Sequence, residues 1–462
     1  MRPLALSVAF MVSIVIPIAW GALTGPEPER LAGAEPAALQ ITDTRAVAAI
    51  PDLMAEGIFR QIEYLYDISF SPDGNWLAFV LDAIPDKARM HRYYVYLLQR
   101  TGQNRSLMLT TKAGPALSRS FVWLGDHTPL LCSPEFKTPA NAAPEQPGPT
   151  GASIQIRGTD PKLSPDGGRV VFRQGDEEDA SLWLADLQRL EPRQLAASAS
   201  PFGDFAWSPD GSRVAFLAPS KTVDGDSLWW VVPDESPSEA LSVSITRFAW
   251  SPNGDLLAAL SDAGEIHVIE VGGGSWPVAE AARDFSWSPD GQLLAYISEA
   301  PTGTAEAVHV RSLVTGKDWI AMQGKAAEGW DFGAVHFSPD GGRIYARAAA
   351  GRDVSGDGQY FDKSDRVMLW ASTEPGATAA EVPIAGSVQQ PAVAPGGRLM
   401  AVTVEYAGKS SLWCIDLENG QVASMGDVPV RKYAYGLAWA SDGANLAFED
   451  QGNLMLSTVA RK

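Results

Sequence analysis

Cysteine, histidine and basic charge are all scarce in this chain. There are two cysteines and five histidines among 462 residues, and 36 basic residues stand against 55 acidic ones for a net charge of −19. That balance favours solubility and works against binding a polyanion, so nucleic acid is excluded as a natural partner. Cys132 and Cys414 fall in repeat units that are not neighbours. A disulfide needs Cα atoms about 5.5 Å apart, so both read as buried free thiols. Without a Cys-x-x-Cys pair they also cannot build a thiolate zinc site. No Gly-x-Ser-x-Gly pentapeptide occurs, which removes the usual nucleophile elbow of a serine hydrolase.

What is present is one motif repeated along the chain. Its clearest copy is Asp284-Phe-Ser-Trp-Ser-Pro-Asp-Gly-Gln-Leu-Leu-Ala-Tyr-Ile297. Pro289 pre-sets φ for the first turn position, Asp290 can bond its own backbone, and Gly291 accepts the positive φ that closes a tight hairpin. Phe285 and Trp287 alternate with polar residues before the turn, and an apolar run follows it, so the stretch reads strand, turn, strand. The turn recurs at Ser71, Ser164, Ser208, Ser251 and Ser338, with degenerate copies at Leu124-Gly125-Asp126-His127, Ala394-Pro395-Gly396-Gly397 and Ala440-Ser441-Asp442-Gly443. Successive steps of 44, 43 and 37 residues from Ser164 to Ser288 match the four strands of a propeller blade.

The fold class is therefore all-β: a single β-propeller of about eight four-stranded blades, with seven to nine allowed, over residues 55–462. A second register of strands, such as Ser181-Leu-Trp-Leu-Ala-Asp186 and Ser411-Leu-Trp-Cys-Ile-Asp416, falls between the motif copies. Pro/Ala-rich residues 134–152 and Gly/Asp-rich residues 351–366 interrupt the rhythm. The last unit, from Trp439, has room for only two or three strands. Residues 57–66 alternate as a strand should, and they are assigned to that final blade, since a ring must borrow its missing strand from the other end of the chain.

Ahead of the propeller, Met1-Arg2 is followed by an apolar run from Leu4 to Trp20, with Glu27 and Glu29 beyond it. A positive start, an apolar middle and a negative exit direct the rest of the chain outward. Residues 1–21 are either a cleaved signal peptide or a retained membrane anchor, and Ala/Pro/Glu-rich residues 22–54 read as a linker. The expected location is exported, periplasmic or extracellular, with the membrane touched only through the N-terminal segment.

The Ser-Pro-Asp-Gly-x-x-Leu-Ala-Phe copies resemble those of TolB-type, PD40-like propellers and of the propeller of prolyl-oligopeptidase-family serine peptidases. The resemblance covers roughly residues 57–462. The opening blade from Asp67 to Val80 is similar to that peptidase family's first blade, and Pro144 to Ile156 to its second-blade excursion. The α/β-hydrolase half of those peptidases has no counterpart here. The resemblance implies a non-enzymatic module that binds or scaffolds a protein or peptide at the cell envelope; the chain is expected to act as a monomer. The alternative it leaves open is a propeller hydrolase, or an accessory propeller to a separately encoded catalytic chain.

Candidate site residues are few. Ten of the fifteen tryptophans are locked to the repeat and read as packing. Trp330, beside Asp331 in a loop, is the one expected to face a ligand. His267 and His309 occupy equivalent strand positions and His336 a motif strand, so these three read as structural. The motif aspartates serve turns rather than acid–base chemistry. The sharpest local signal is Asp353-Val-Ser355-Gly-Asp357-Gly-Gln359, the opening of a calcium loop, with Asp362 and Asp365 near its closing position. The alternative is a Gly/Asp turn without metal.

Overall fold

The computed structural model describes residues 39–49 and 59–461 apart from several stretches, the longest being 112–120, 134–153, 324–331, 357–364 and 426–436. The described residues contain strands and turns but no helix, and so no helix long and apolar enough to cross a membrane. They form nine sheets, eight antiparallel ones of four strands and a mixed one of three. Nine is one more than the central expectation and within its allowed range. Blade 1 runs from Phe59 to Thr111, blade 2 from Phe121 to Ile156, blade 3 from Thr159 to Ala196, blade 4 from Phe205 to Leu241 and blade 5 from Ile245 to Ala279. Blade 6 runs from Ala282 to Gln323, blade 7 from Phe332 to Glu381, blade 8 from Ser387 to Ser424, and blade 9 from Leu437 to Arg461.

Period-two alternation explains how the sheets stack. In the strand Trp76–Pro85, Leu77, Phe79 and Leu81 pack towards blade 9, whereas Trp76, Ala78 and Val80 pack towards blade 2. A strand buried on both faces reads as a continuous apolar run, which is why the residues after each turn look uniformly hydrophobic. Nine apolar clusters result, one between each blade and the next. The ninth unites Leu65, Leu77 and Phe79 of blade 1 with Ala447, Leu454 and Leu456 of blade 9, so the ring is closed.

Closure differs from expectation. The strand Phe59–Phe70, which contains most of residues 57–66, is the first strand of blade 1, paired with Trp76–Pro85. The strand donated to blade 9 is Leu39–Ala49, antiparallel to Asn453–Arg461 from Leu39 opposite Arg461 to Ala49 opposite Asn453. It lies inside the segment expected to be a linker, so the propeller begins at residue 39 rather than 55. Alternation there is blurred by register shifts at Thr42/Arg45 and Ala46/Ala48 and by a left-handed Asp43, which hides the strand from a period-two reading.

Blade 2 is the short one. Its third strand, Ile154–Ile156, runs parallel to Pro129–Cys132. In an antiparallel blade the second and fourth strands run the same way. Among the described residues, a strand with the direction of a fourth strand thus lies beside the second and gives this parallel pair.

The turn motif has a fuller chemistry than its Pro-Asp-Gly core suggests. In blade 3 the buried Ser164 hydroxyl donates to Asp166 Oδ1 (2.5 Å) and accepts from the Arg169 N–H (2.9 Å), while Asp166 accepts from the Gly168 N–H (3.0 Å). The same bonds recur from Ser71, Ser208, Ser288 and Ser338. The motif glycines take φ of 68–80° at Gly74, Gly167, Gly211, Gly254, Gly291 and Gly341, a type I turn closed by a left-handed residue. The serine hydrogen bond is the leading cause that holds Asp166, Asp210, Asp290 and Asp340 below the ordinary carboxylate range.

Removing residues 1–49 leaves Asn453–Arg461 with an open edge, whereas removing residues 1–38 leaves the closing strand in place. The shorter deletion is expected to unfold like the full chain and the longer one to unfold several degrees lower or to associate through the exposed edge, as read by thermal unfolding with light scattering.

Candidate functional site

The first strands of neighbouring blades lie against one another, Phe59–Phe70 against Leu437–Trp439 and Ala282–Trp287 against Phe332–Phe337 among them, and so form the inner rim of the ring. On these strands the pre-turn aromatic residues act as locks. Trp207 Nε1 donates to the Lys162 carbonyl (3.0 Å), Trp250 to Ala206 (3.3 Å), Trp287 to Ala249 (3.1 Å) and Trp439 to Ala392 (2.8 Å), each carbonyl belonging to the preceding blade. The packing role expected for the repeated tryptophans is the one observed.

Three residues before those tryptophans stand Asp204, Arg247 and Asp284. This position lies where neighbouring inner strands meet, and its charges link four consecutive blades. Lys162 Nζ bonds Asp204 Oδ1 (2.5 Å) and the Phe205 carbonyl (2.6 Å), and Arg247 ion-pairs with Asp284. Arg247 also lies over the Phe285 ring at 4.8 Å. The chain of contacts continues beside it: Arg283 pairs with Glu306 (2.5 Å) and bonds the Phe332 carbonyl, while Glu306 accepts from the Phe332 N–H (2.7 Å). Arg347 then donates to the Gln389 carbonyl of blade 8 (2.7 Å). Lys162, Asp204, Arg247 and Arg283 remain partly exposed, so the rim presents fixed charges of both signs.

Burial pushes the Arg247 guanidinium below its ordinary pKa, partly offset by Asp204. His336, on the inner strand of blade 7, is also held below its usual value of 6.5, first by burial and then by the positive Arg247. Its Nε2 is buried and has no hydrogen-bond partner among the described residues. A neutral imidazole suits that place.

The residues singled out from sequence are only partly brought into view. Trp330 and Asp331 lie outside the described residues, as do Asp357, Gln359 and Asp362 of the calcium-like loop. Asp353 Oδ1 accepts from the Gly356 N–H (2.6 Å), and Asp365 Oδ2 accepts from Val354 (2.8 Å) and Ser355 (3.2 Å). In this arrangement Asp353 and the buried Asp365 cap the loop's own backbone. No group of three or more His, Cys, Asp or Glu side chains is assembled for a metal among the described residues. Cys132 and Cys414 are buried free thiols, and burial raises the pKa of both, that of Cys414 to about 12. Of the three described histidines, His267 faces Glu265 (3.1 Å) and His309 faces Asp318 (3.5 Å) and stacks on the Tyr296 ring (4.9 Å).

Sequence reading missed the rim charges because each is unremarkable alone. Their fixed offset of three residues from Trp207, Trp250 and Trp287 was the available signal.

The protein is thus a closed nine-bladed β-propeller, the fold expected from the TolB-type, PD40-like character of its turns. No protein-family model and no curated protein matches the chain. Among solved structures it is similar to TolB from Acinetobacter baumannii at 11% identity, covering 79% of this chain and 63% of that one with a TM-score of 0.34. It is similar to the propeller domain of the Trilobed protease from Pyrococcus furiosus at 13% identity, covering 79% and 99% with a TM-score of 0.43. A prolyl endopeptidase aligns at 15% identity over 65% of this chain and 49% of its own, with a TM-score of 0.44. The propeller assignment itself rests on the nine sheets and the nine clusters between them.

The depressed pKa of His336 makes stability pH-dependent in a defined direction. The unfolded histidine takes up a proton near 6.5, the folded one only at lower pH, so stability is present above 6.5 and is lost as pH falls towards the folded value. Chemical denaturation at pH 7.5 and 5.5 is expected to show a loss with a slope of at most about 1.4 kcal/mol per pH unit from this group, reduced in His336→Gln.

Proposed function

We propose that this protein is a non-enzymatic binding module, exported to the cell envelope, whose inner rim holds a segment of a protein or peptide. The observation that carries this reading is the linked set Lys162, Asp204, Arg247, Asp284, Arg283 and Glu306, presented by consecutive blades, with Asp204, Arg247 and Asp284 at one repeat position. Charges of both signs on rigid strands can pair with both signs on a partner and fix its register. Export is supported by the sequence of residues 1–29, and an acidic, soluble ring of this kind needs no cofactor to bind a peptide. The likeness of the turns to those of TolB-type propellers agrees with a role at the envelope.

Capture from envelope extract with the full chain as bait is expected to retain a protein that the charge-reversal variants Arg247→Glu and Asp284→Arg lose, with both variants still folded by circular dichroism. Retention of that partner by both variants would remove the rim from the reading. A fluorophosphonate serine probe is expected to leave the chain unlabelled, and stoichiometric labelling would replace the binding role by the hydrolase alternative.

The spacing of Asp353, Ser355 and Asp357 supports a calcium-stiffened loop as a second feature of the extracytoplasmic protein. The melting temperature is then expected to be higher in excess calcium than in chelator, by an amount that Asp357→Ala abolishes. Equal melting temperatures in calcium and chelator leave the metal-free turn.

A further inference from the structure

The turn of blade 8 departs from the other copies in one chemical respect. Where the motif has serine and aspartate, it has Ala394 and Gly396. Its backbone frame is kept: the Ala394 N–H donates to the Leu399 carbonyl (2.7 Å) and the Gly397 N–H to the Ala394 carbonyl (2.8 Å). In blade 3 the two equivalent N–H groups, those of Gly168 and Arg169, donate to Asp166 Oδ1 and Ser164 Oγ. Their counterparts here, the N–H groups of Arg398 and Leu399, meet no motif side-chain oxygen, because Ala394 and Gly396 supply none. Blade 9 shows that a missing serine need not have this effect. There Ala440 replaces it, yet Asp442 Oδ1 accepts from both Ala444 (2.8 Å) and Asn445 (3.0 Å).

A cavity of about 460 Å³ lies against this depleted turn. Its lining includes Ala394, Pro395, Gly396 and Leu399 of the turn, Leu39 of the closing strand and Val459 of the last strand. A Cβ built on Gly396 would meet nothing within 4 Å, so the space of the absent aspartate is open. The rim carries Arg398, paired with Glu418 at 3.1 Å, and Asp442, whose Oδ2 is engaged by Asn445 Nδ2 at 2.6 Å.

We propose that this turn is a binding site for a small aliphatic carboxylate, whose two oxygens take the places of the missing serine and aspartate oxygens. Two adjacent backbone N–H groups match a carboxylate in number and spacing, and charge-assisted bonds of this kind are the stronger ones. Leu39, Leu399 and Val459 supply the surface for a short hydrocarbon tail. The anion is monovalent, because Asp442 on the rim and a chain of net charge −19 oppose a second negative charge. The site goes beyond the inner-rim reading and uses none of its residues.

The test is titration of the full-length chain, labelled with ¹⁵N at leucine, with hexanoate and with hexanol as the neutral control. The expected result is a saturable shift of the Leu399 amide resonance with hexanoate and none with hexanol. Ala394→Ser returns a hydroxyl to the Leu399 N–H and is expected to weaken hexanoate by about tenfold or more, the loss of one charge-assisted hydrogen bond. Ala394→Ser/Gly396→Asp fills both places and is expected to abolish binding. No saturable shift with hexanoate, an equal response to hexanol, or unchanged affinity in folded Ala394→Ser would each overturn the proposal.

Discussion

Each blade of this ring has two apolar faces and can bury both only if it has a neighbour on either side. The nine clusters are therefore mutually dependent, and the one between blades 9 and 1 must join the two ends of the chain. Sequence-adjacent blades meet at the cost of a short connection, whereas this contact must be brought together from the two ends. Pairing Leu39–Ala49 with Asn453–Arg461 does so by backbone hydrogen bonds that do not depend on side-chain identity. That independence lets the closing strand carry Asp43 and Arg45 on an exposed edge, where charge also discourages pairing with other molecules.

The turn motif contributes to the same closure from one end of the ring. Several motif glycines, at positive φ, stand close to the proline of the preceding turn: a Cβ on Gly211 would lie 3.4 Å from Pro165, one on Gly254 3.4 Å from Pro209 and one on Gly341 3.7 Å from Pro289. Ser441 of blade 9 reaches the Pro72 carbonyl of blade 1 at 2.5 Å, so the row of turns crosses the seam. The serine and aspartate satisfy the backbone N–H groups that the tight turn strands, and the turns lacking them become chemically distinct. Blade 9 compensates within its own aspartate; blade 8 does not.

The inner rim shows how a repeated frame carries unrepeated chemistry. The position three before the tryptophan is set by strand geometry, but the residue there changes from Asp204 to Arg247 to Asp284, so successive blades meet through opposite charges. These pairs are half-exposed and contribute modestly to stability. Their greater effect is to hold long side chains in one place on the rim, with His336 kept neutral nearby by burial and by Arg247.

The all-β class, the repeat, the turn conformation and the packing role of the tryptophans were written in the local sequence, because each depends on residues within one hairpin: Pro289 and Gly291 fix a turn, and Phe285 and Trp287 fix a face. The blade number was legible to within one because the nine turn copies include three degenerate ones. What lay beyond the sequence was everything that depends on which residues meet across blades. Residues 57–66 and Leu39–Ala49 both precede the first turn, and only the completed ring decides which of them pairs with Asn453–Arg461. Asp204, Arg247 and Asp284 are ordinary polar residues until neighbouring inner strands bring them together. Ala394 and Gly396 look like mere decay of the motif until the cavity beside Leu39 and Val459 gives their missing oxygens a consequence. Local backbone preference determined the hairpins; long-range pairing, which no single stretch encodes, decided the ring and its sites.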